Sequence, residues 1–155
     1  MRALSVRQPW AWAIARGHKP ILNCASATGY RGRVAIYASY RVDLDCVENH
    51  LVRVVTSATW DPADPVAAIG GIVAVVSLEG VCTAAVAGGR CPCGEWADPG
   101  AYHWRLADPQ PLRWPVLAIG QAGLWELASE VAAGVTRFLP DKTVRAGRPG
   151  AVSPN

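Results

Sequence analysis

LSVRQPWAWAIARGHK, residues 4–19, compresses a strand, a helix and a turn into one short stretch. Ala3 to Val6 reads as a short strand. Gln8-Pro9 then opens a helix, because proline is favoured at the first helical position. Trp10 and Ile14 stand four apart and share one face of that helix. Gly17 ends it, and Pro20 disfavours helix immediately before itself, so His18-Lys19 must turn. Lys19 is thereby placed just beyond a helix C-terminus, where a cation also suits the helix dipole.

Working outward, Asn23 to Gly32 is polar and reads as a loop. RVAIYAS (33–39) alternates Val34, Ile36 and Ala38 with Arg33, Tyr37 and Ser39, the pattern of a strand with one face in water. Asp43 is suited to cap a helix in which Leu44, Val47, Leu51, Val54 and Val55 recur at helical spacing. After a turn-rich connector, Ile69 to Leu78 is the most β-prone run and the expected central strand. Gly80 to Gly100 carries three of the five cysteines among glycines and prolines, and reads as a long irregular loop. AYHWRL (101–106) and PLRWPVLAI (111–119) read as two strands joined by a turn over 107–110, and GLWELA (123–128) closes the globule. Beyond Ser129 a short helix to about Val135 is expected, followed by a tail of disordered composition. The expected class is α+β: a small, partly open β-barrel decorated by helices, with one domain over 1–128 and a helix and tail over 129–155.

The 155 residues suit one domain, and 51% hydrophobic content can bury one core. Fifteen glycines and twelve prolines favour short elements over a long-helix bundle. No apolar run approaches the ~18 residues of a membrane span, and the N-terminus lacks the apolar core of a signal peptide, so a soluble cytoplasmic protein is expected. The five cysteines are then expected to be reduced thiols. Cys82, Cys91, Cys93 and His103 are zinc-ligand types, but their C-x8-C-x-C-x9-H spacing lacks the usual C-x2-4-C knuckle; the expectation is no metal and no cofactor. Charge is segregated: residues 1–41 hold seven basic side chains and no acid, whereas 43–128 hold four basic and ten acidic. A cationic N-terminal third points to an anionic ligand such as phosphate, or to a basic half that neutralises an acidic one. Nothing matches a G-x-S-x-G elbow, an H-E-x-x-H helix or a P-loop, which removes support for those chemistries.

LSVRQPWAWAIARGHK, YRGRVAIYAS (30–39), IVAVVSLE (72–79), YHWRL (102–106) and GQAGLW (120–125) follow one another in an order that resembles the ASCH domain, a member of the PUA-like superfold. The resemblance spans residues 3–128. It implies a β-barrel with helices at one side, a cleft beside the G-x-K turn, and binding of RNA or another nucleic acid. Some members are hydrolases, with ribonuclease action or amide hydrolysis on a modified cytidine, and fold alone does not choose among these. The family signature G-x-K-x-x-E-x-R keeps Gly17 and Lys19 here, but Leu22 stands at the acidic position and Cys24 at the arginine position. A leucine can neither hold a lysine charged nor exchange a proton with it.

The resulting expectation is RNA or nucleotide binding in a cationic cleft beside Gly17-His18-Lys19. Arg7, Lys19, Arg31 and Arg33 form its electrostatic floor. Gln8, Trp10, Tyr30, Tyr37 and Ser39 offer hydrogen bonds or stacking. The alternative is a metal-independent ribonuclease or amidohydrolase that uses Lys19 with Tyr30 or with Glu79, whose carboxylate would replace the one lost at Leu22. A third class is a module whose cleft recognises a protein. Most tryptophans are expected in the core, with Trp10 or Trp12 the exception.

Overall fold

The computed structural model describes residues 1–59 and 61–140. Its strands are β1 (Arg2–Gln8), β2 (Ile21–Cys24), β3 (Gly32–Val42), β4 (Gly71–Cys82), β5 (Tyr102–Leu117) and β6 (Leu124–Glu126). The helices are α1 (Trp10–Ala15), α2 (His50–Thr59) and α3 (Ser129–Phe138), with 3-10 turns at Leu44–Glu48 and Pro65–Ala67. The strands form one mixed sheet in the order β2-β5-β4-β3-β1-β6. Only β1 and β3 run parallel; the other pairs are antiparallel. The sheet stays open, with β2 and β6 as its two edges. No helix among the described residues is long and apolar enough to cross a membrane.

Alternation along the strands gives the sheet two buried faces. Leu4, Val6, Val34, Ile36, Val76 and Leu78 meet Trp12 and Ile14 of α1 on one face. Ala3, Ala35, Tyr37, Val75, Leu112 and Trp125 meet Val135 of α3 on the other. The expectation that β3 keeps one face in water is therefore corrected. Helix α3 covers that face, runs past Val135 to Phe138, and leaves Val135 fully buried.

The strand over 69–78 is central as expected, but it continues through Gly80 to Cys82, into what read as loop. The start of the expected 23–32 loop is likewise strand, since Asn23 and Cys24 pair with His103 and Tyr102. The two strands expected over 101–119 are one strand, β5, which bends without turning. Asp108 takes a left-handed φ of 47°, and the pairing with β4 shifts register three times along its length. Asp43 does cap, but it caps the first 3-10 turn by accepting from the Asp45 N–H, and α2 begins separately at His50. Pro9, expected at the first helical position, is instead the N-cap of α1, one position before its first helical residue, Trp10. Gly17 takes φ +77° just past α1, a conformation that other residues adopt only with strain. The tail residues 141–155, expected to be disordered, lie outside the described residues.

Candidate functional site

The turn after α1 carries Lys19 inward. The backbone N–H groups of both His18 and Lys19 donate to the Ala13 carbonyl, which folds the chain back under the helix. Lys19 is 5% exposed, and its Nζ lies 5.0 Å from the Trp10 ring and 4.6 Å from the Trp96 ring. The two indoles meet edge to face at 89°, so the ammonium sits in a corner made of two π surfaces. Among the described residues, its side chain has no protein hydrogen-bond acceptor and no ion pair within 4 Å. Its N–H donors open instead onto a cavity of about 220 Å³ lined by Leu22, Asn23, Asp43, Asn49, Glu95 and Asp98. Burial pulls the Lys19 pKa down to about 8, against the opposing pull of Asp98 and then Cys24. Burial pushes the Cys24 thiol up to about 11, with Lys19 opposing, so Cys24 faces the lysine as a neutral group near pH 7.

Each wall is fixed by a specific bond. Trp10 Nε1 donates to Asp43 at 2.8 Å, tying α1 to the end of β3. On the opposite wall, Asn23 Nδ2 donates to the Trp96 carbonyl at 3.0 Å and to Asp98 Oδ2 at 2.7 Å, while the Asp98 N–H returns to Asn23 Oδ1 at 3.1 Å. One β2 residue thus positions the loop segment that brings Trp96 and Asp98 to the lysine.

The cavity adjoins a second groove of about 630 Å³, with which it shares Trp10, Leu22, Asn23 and Asp43. Arg2, Ser5 and Arg7 of β1 line one side of this groove, and Cys24, Ser26 and Thr28 line the other. The Trp104 Nε1–H anchors that second side through the Ser26 carbonyl at 2.9 Å. A further hollow of about 360 Å³, between Val42, Leu44, Val52 and Ile69, is mainly apolar and lacks Lys19.

The expected site residues therefore divide. Lys19, Trp10 and Arg7 border the joined cavities. Tyr30 is half-buried beside them; its hydroxyl donates to the Arg33 carbonyl at 2.8 Å, and its ring stacks under Arg2 at 4.9 Å. Arg31 is exposed and bonds the Thr28 and Tyr30 carbonyls. Arg33 shares the face of Ala35 and Tyr37 and reaches Gln110 of β5. Ser39 is half-buried and donates to the Arg41 carbonyl.

Two of the expected ligand contacts are structural. Gln8 is buried, with Nε2 donating to the Val66 and Ala68 carbonyls and Oε1 accepting from the Trp12 N–H, so it bolts β1, α1 and the second 3-10 turn together. Tyr37 is buried on the α3 face, edge-on to Trp125. Glu79 is exposed on β4 where the pairing with β5 slips, and the carboxylate whose charge acts on Lys19 is Asp98. Among the described tryptophans, Trp12 is fully buried, Trp10 is half-buried, and Trp114 is 63% exposed. Sequence reasoning missed Arg2, Asn23, Trp96 and Asp98. Asn23 offered the nearest signal, as a lone amide four residues after the lysine.

The comparisons agree with this geometry at the level of fold. The structure superposes on crystal structures of ZmASCH, the ASCH protein of Zymomonas mobilis. The fold is that of an ASCH domain. A tyrosine-to-phenylalanine variant of ZmASCH matches with a TM-score of 0.57 and 14% identity, over 90% of this chain and 98% of that one. The unsubstituted protein gives a TM-score of 0.53 at 14% identity, over 90% and 95% of the two chains. A serine-to-alanine variant gives 0.52 at 16% identity, over 90% and 96%. No family model and no curated protein matches the sequence. Against the ASCH fold, the open sheet with helices on both faces fulfils the expected α+β architecture.

Proposed function

We propose that this ASCH-fold chain binds RNA, or a nucleotide, along the joined cavities, in a cytoplasmic setting that keeps its thiols reduced. The observation that carries the reading is Lys19: a buried cation, cradled by two indoles, whose donors face a cavity and, among the described residues, no protein acceptor. An ammonium this buried, held by ring faces and by the charge of Asp98 without a hydrogen bond to a described residue, is costly, and an anionic or carbonyl-rich ligand recovers that cost. Arg2 and Arg7 extend the positive charge along the groove, where backbone phosphates would run. The Lys19 cavity is smaller than the ~300–1,000 Å³ typical of drug-sized ligands, which suits one base or one phosphate. Asn23 and Asn49 offer amides for a base edge, and the acidic rim of Asp43, Glu95 and Asp98 discriminates against ligands that present only acceptors. The cleft is thus basic at its groove and mixed at its pocket. Arg31 and Arg33 lie outside both linings and contribute at most a long-range field.

A second reading draws on the lowered Lys19 pKa, which suits a proton-transfer group near neutrality. In that case Asp98 would take the place expected of Glu79, and the activity would be hydrolysis of RNA or a modified nucleoside. The test is a salt titration of a fluorescent oligoribonucleotide, run beside a cleavage assay. Each phosphate contact made by a cation adds roughly −0.7 to the slope of log K against log salt on a single strand. Arg7→Ala and Lys19→Ala should each weaken binding and flatten the slope, with Arg33→Ala nearly neutral. Equal slopes in all three would reject the groove as the binding surface. Turnover by the wild type, lost in Asp98→Asn, would favour the hydrolase.

A further inference from the structure

We infer that Cys82, Cys91, Cys93 and His103 form a structural zinc site that clasps the 83–101 loop onto the sheet. The four ligand atoms lie within 4.8 Å of one another. Cys82 Sγ is 3.5 Å from Cys91 Sγ, and Cys91 Sγ is 2.9 Å from His103 Nδ1. A tetrahedron with zinc–sulfur bonds of ~2.3 Å has edges of about 3.8 Å, so shifts of a few tenths of an ångström to about 1 Å would seat the ion. The 3.5 Å sulfur separation is far beyond the ~2.05 Å of a disulfide. Three soft sulfurs and one imidazole gathered within 4.8 Å are a donor set for zinc, which takes such ligands tetrahedrally.

The histidine carries the argument furthest. His103 is 1% exposed, and its Nε2 lies 2.7 Å from the Asp98 carbonyl, which can only accept. The ring proton therefore sits on Nε2 in the neutral imidazole, and the Nδ1 lone pair is aimed at the sulfurs. A backbone carbonyl that fixes the tautomer of a ligating histidine is the usual outer support of a metal site. The missing C-x2-4-C knuckle, which argued against a metal, is supplied by topology. Cys82 and His103 are direct cross-strand partners at the ends of β4 and β5, and the loop between them folds Cys91 and Cys93 back over that pair.

The site also reaches the lysine cavity. The carbonyl held by His103 belongs to Asp98, and Trp96 and Asp98 are the loop residues that Asn23 holds against Lys19. The loop between Cys82 and His103 includes Gly88, Gly89, Gly94 and Gly100 and none of the buried core side chains, so the ion would supply anchoring that apolar packing does not.

The test is elemental analysis of full-length protein purified without chelator, followed by cobalt replacement and hydrogen exchange. The expected result is one zinc per chain and, with cobalt, the intense visible bands of tetrahedral thiolate coordination. Chelation should raise exchange across 83–101 while leaving β3 and β4 protected. Cys91→Ser should lower zinc affinity at least tenfold, Cys46→Ser should leave it unchanged, and His103→Cys should retain zinc in a four-sulfur site. Because wild-type protein carries the stoichiometry and the cobalt spectrum, a variant that fails to fold does not remove the test. Protein that takes up neither zinc nor cobalt, or that is isolated with a Cys82–Cys91 disulfide, would overturn the assignment. A stoichiometric site with unchanged exchange in 83–101 would overturn the clasp.

Discussion

Raising the pH through 8 should release RNA from this protein, and the size of the effect follows from the position of Lys19. Burial brings its pKa to about 8. The protonated fraction of the free protein is then about 0.9 at pH 7 and about 0.1 at pH 9. If only the ammonium form binds, affinity falls about tenfold between those values, about 1.4 kcal/mol. The groups facing Lys19 are Trp10, Trp96, Asp43, Glu95, Asp98 and Cys24. The Cys24 thiol, pushed to about 11, stays neutral over this range and does not compete for the titration. Fluorescence anisotropy of a short oligoribonucleotide, from about pH 6 to about pH 9.5 at constant ionic strength, reads the profile. Lys19→Arg is the matched control, because a guanidinium stays charged throughout. Its profile should be flat above pH 7 even if its affinity is lower. A flat wild-type profile, or the same fall in Lys19→Arg, would refute the assignment of the binding cation to Lys19.

The same burial makes Lys19 a liability to the fold. Its folded pKa lies below the ordinary 10.5, so folding disfavours the ammonium, the full cost applies below pH 8, and the cost fades as pH rises towards 10.5. Lys19→Met should therefore stabilise the protein by about 1–2 kcal/mol at pH 7 in urea melts, with the gain shrinking at high pH. Gln8→Leu removes the partners of two carbonyls and one N–H, and should cost about 2–4 kcal/mol by the same melts. Gly120→Ala places a Cβ against the Tyr37 ring and should lower the melting temperature by several degrees, whereas Gly88→Ala, with open space around it, should show only the smaller cost of its positive φ. Trp96→Ala opens one wall of the lysine corner and should weaken RNA binding severalfold in anisotropy assays while leaving the melt nearly unchanged.

The local signals in residues 4–19 were readable because proline and glycine act within a few positions of themselves. Gly17 and Pro20 alone were enough to place Lys19 in its turn. The reading failed where distant pairing decides. Residues 107–110, with Asp108 and Pro109, look like a turn, yet β4 holds both halves of β5 in one ladder by slipping register around them. Tyr37 looked solvent-facing because its alternation says nothing of α3, which arrives nearly a hundred residues later to cover it. Trp96 and Asp98 carry no local signature, since only their bonds to Asn23 bring them to the lysine. The cysteines and the histidine were visible as ligand types, but their closeness was not, because the register pair of Cys82 and His103 is created by the sheet.

The bend in β5 also bears on how the protein avoids its own kind. Strand β2 pairs with β5 only as far as Arg105, so the outer rim of the strand beyond it would be a long template for another chain. That stretch also exposes Trp114 and Leu117, with Ile119 just past its end. Pro109, Pro111 and Pro115 remove three N–H donors from it, and the left-handed Asp108 breaks its line. The residues that disguise the strand as a turn thus leave this apolar rim with fewer hydrogen-bond donors to offer an added strand.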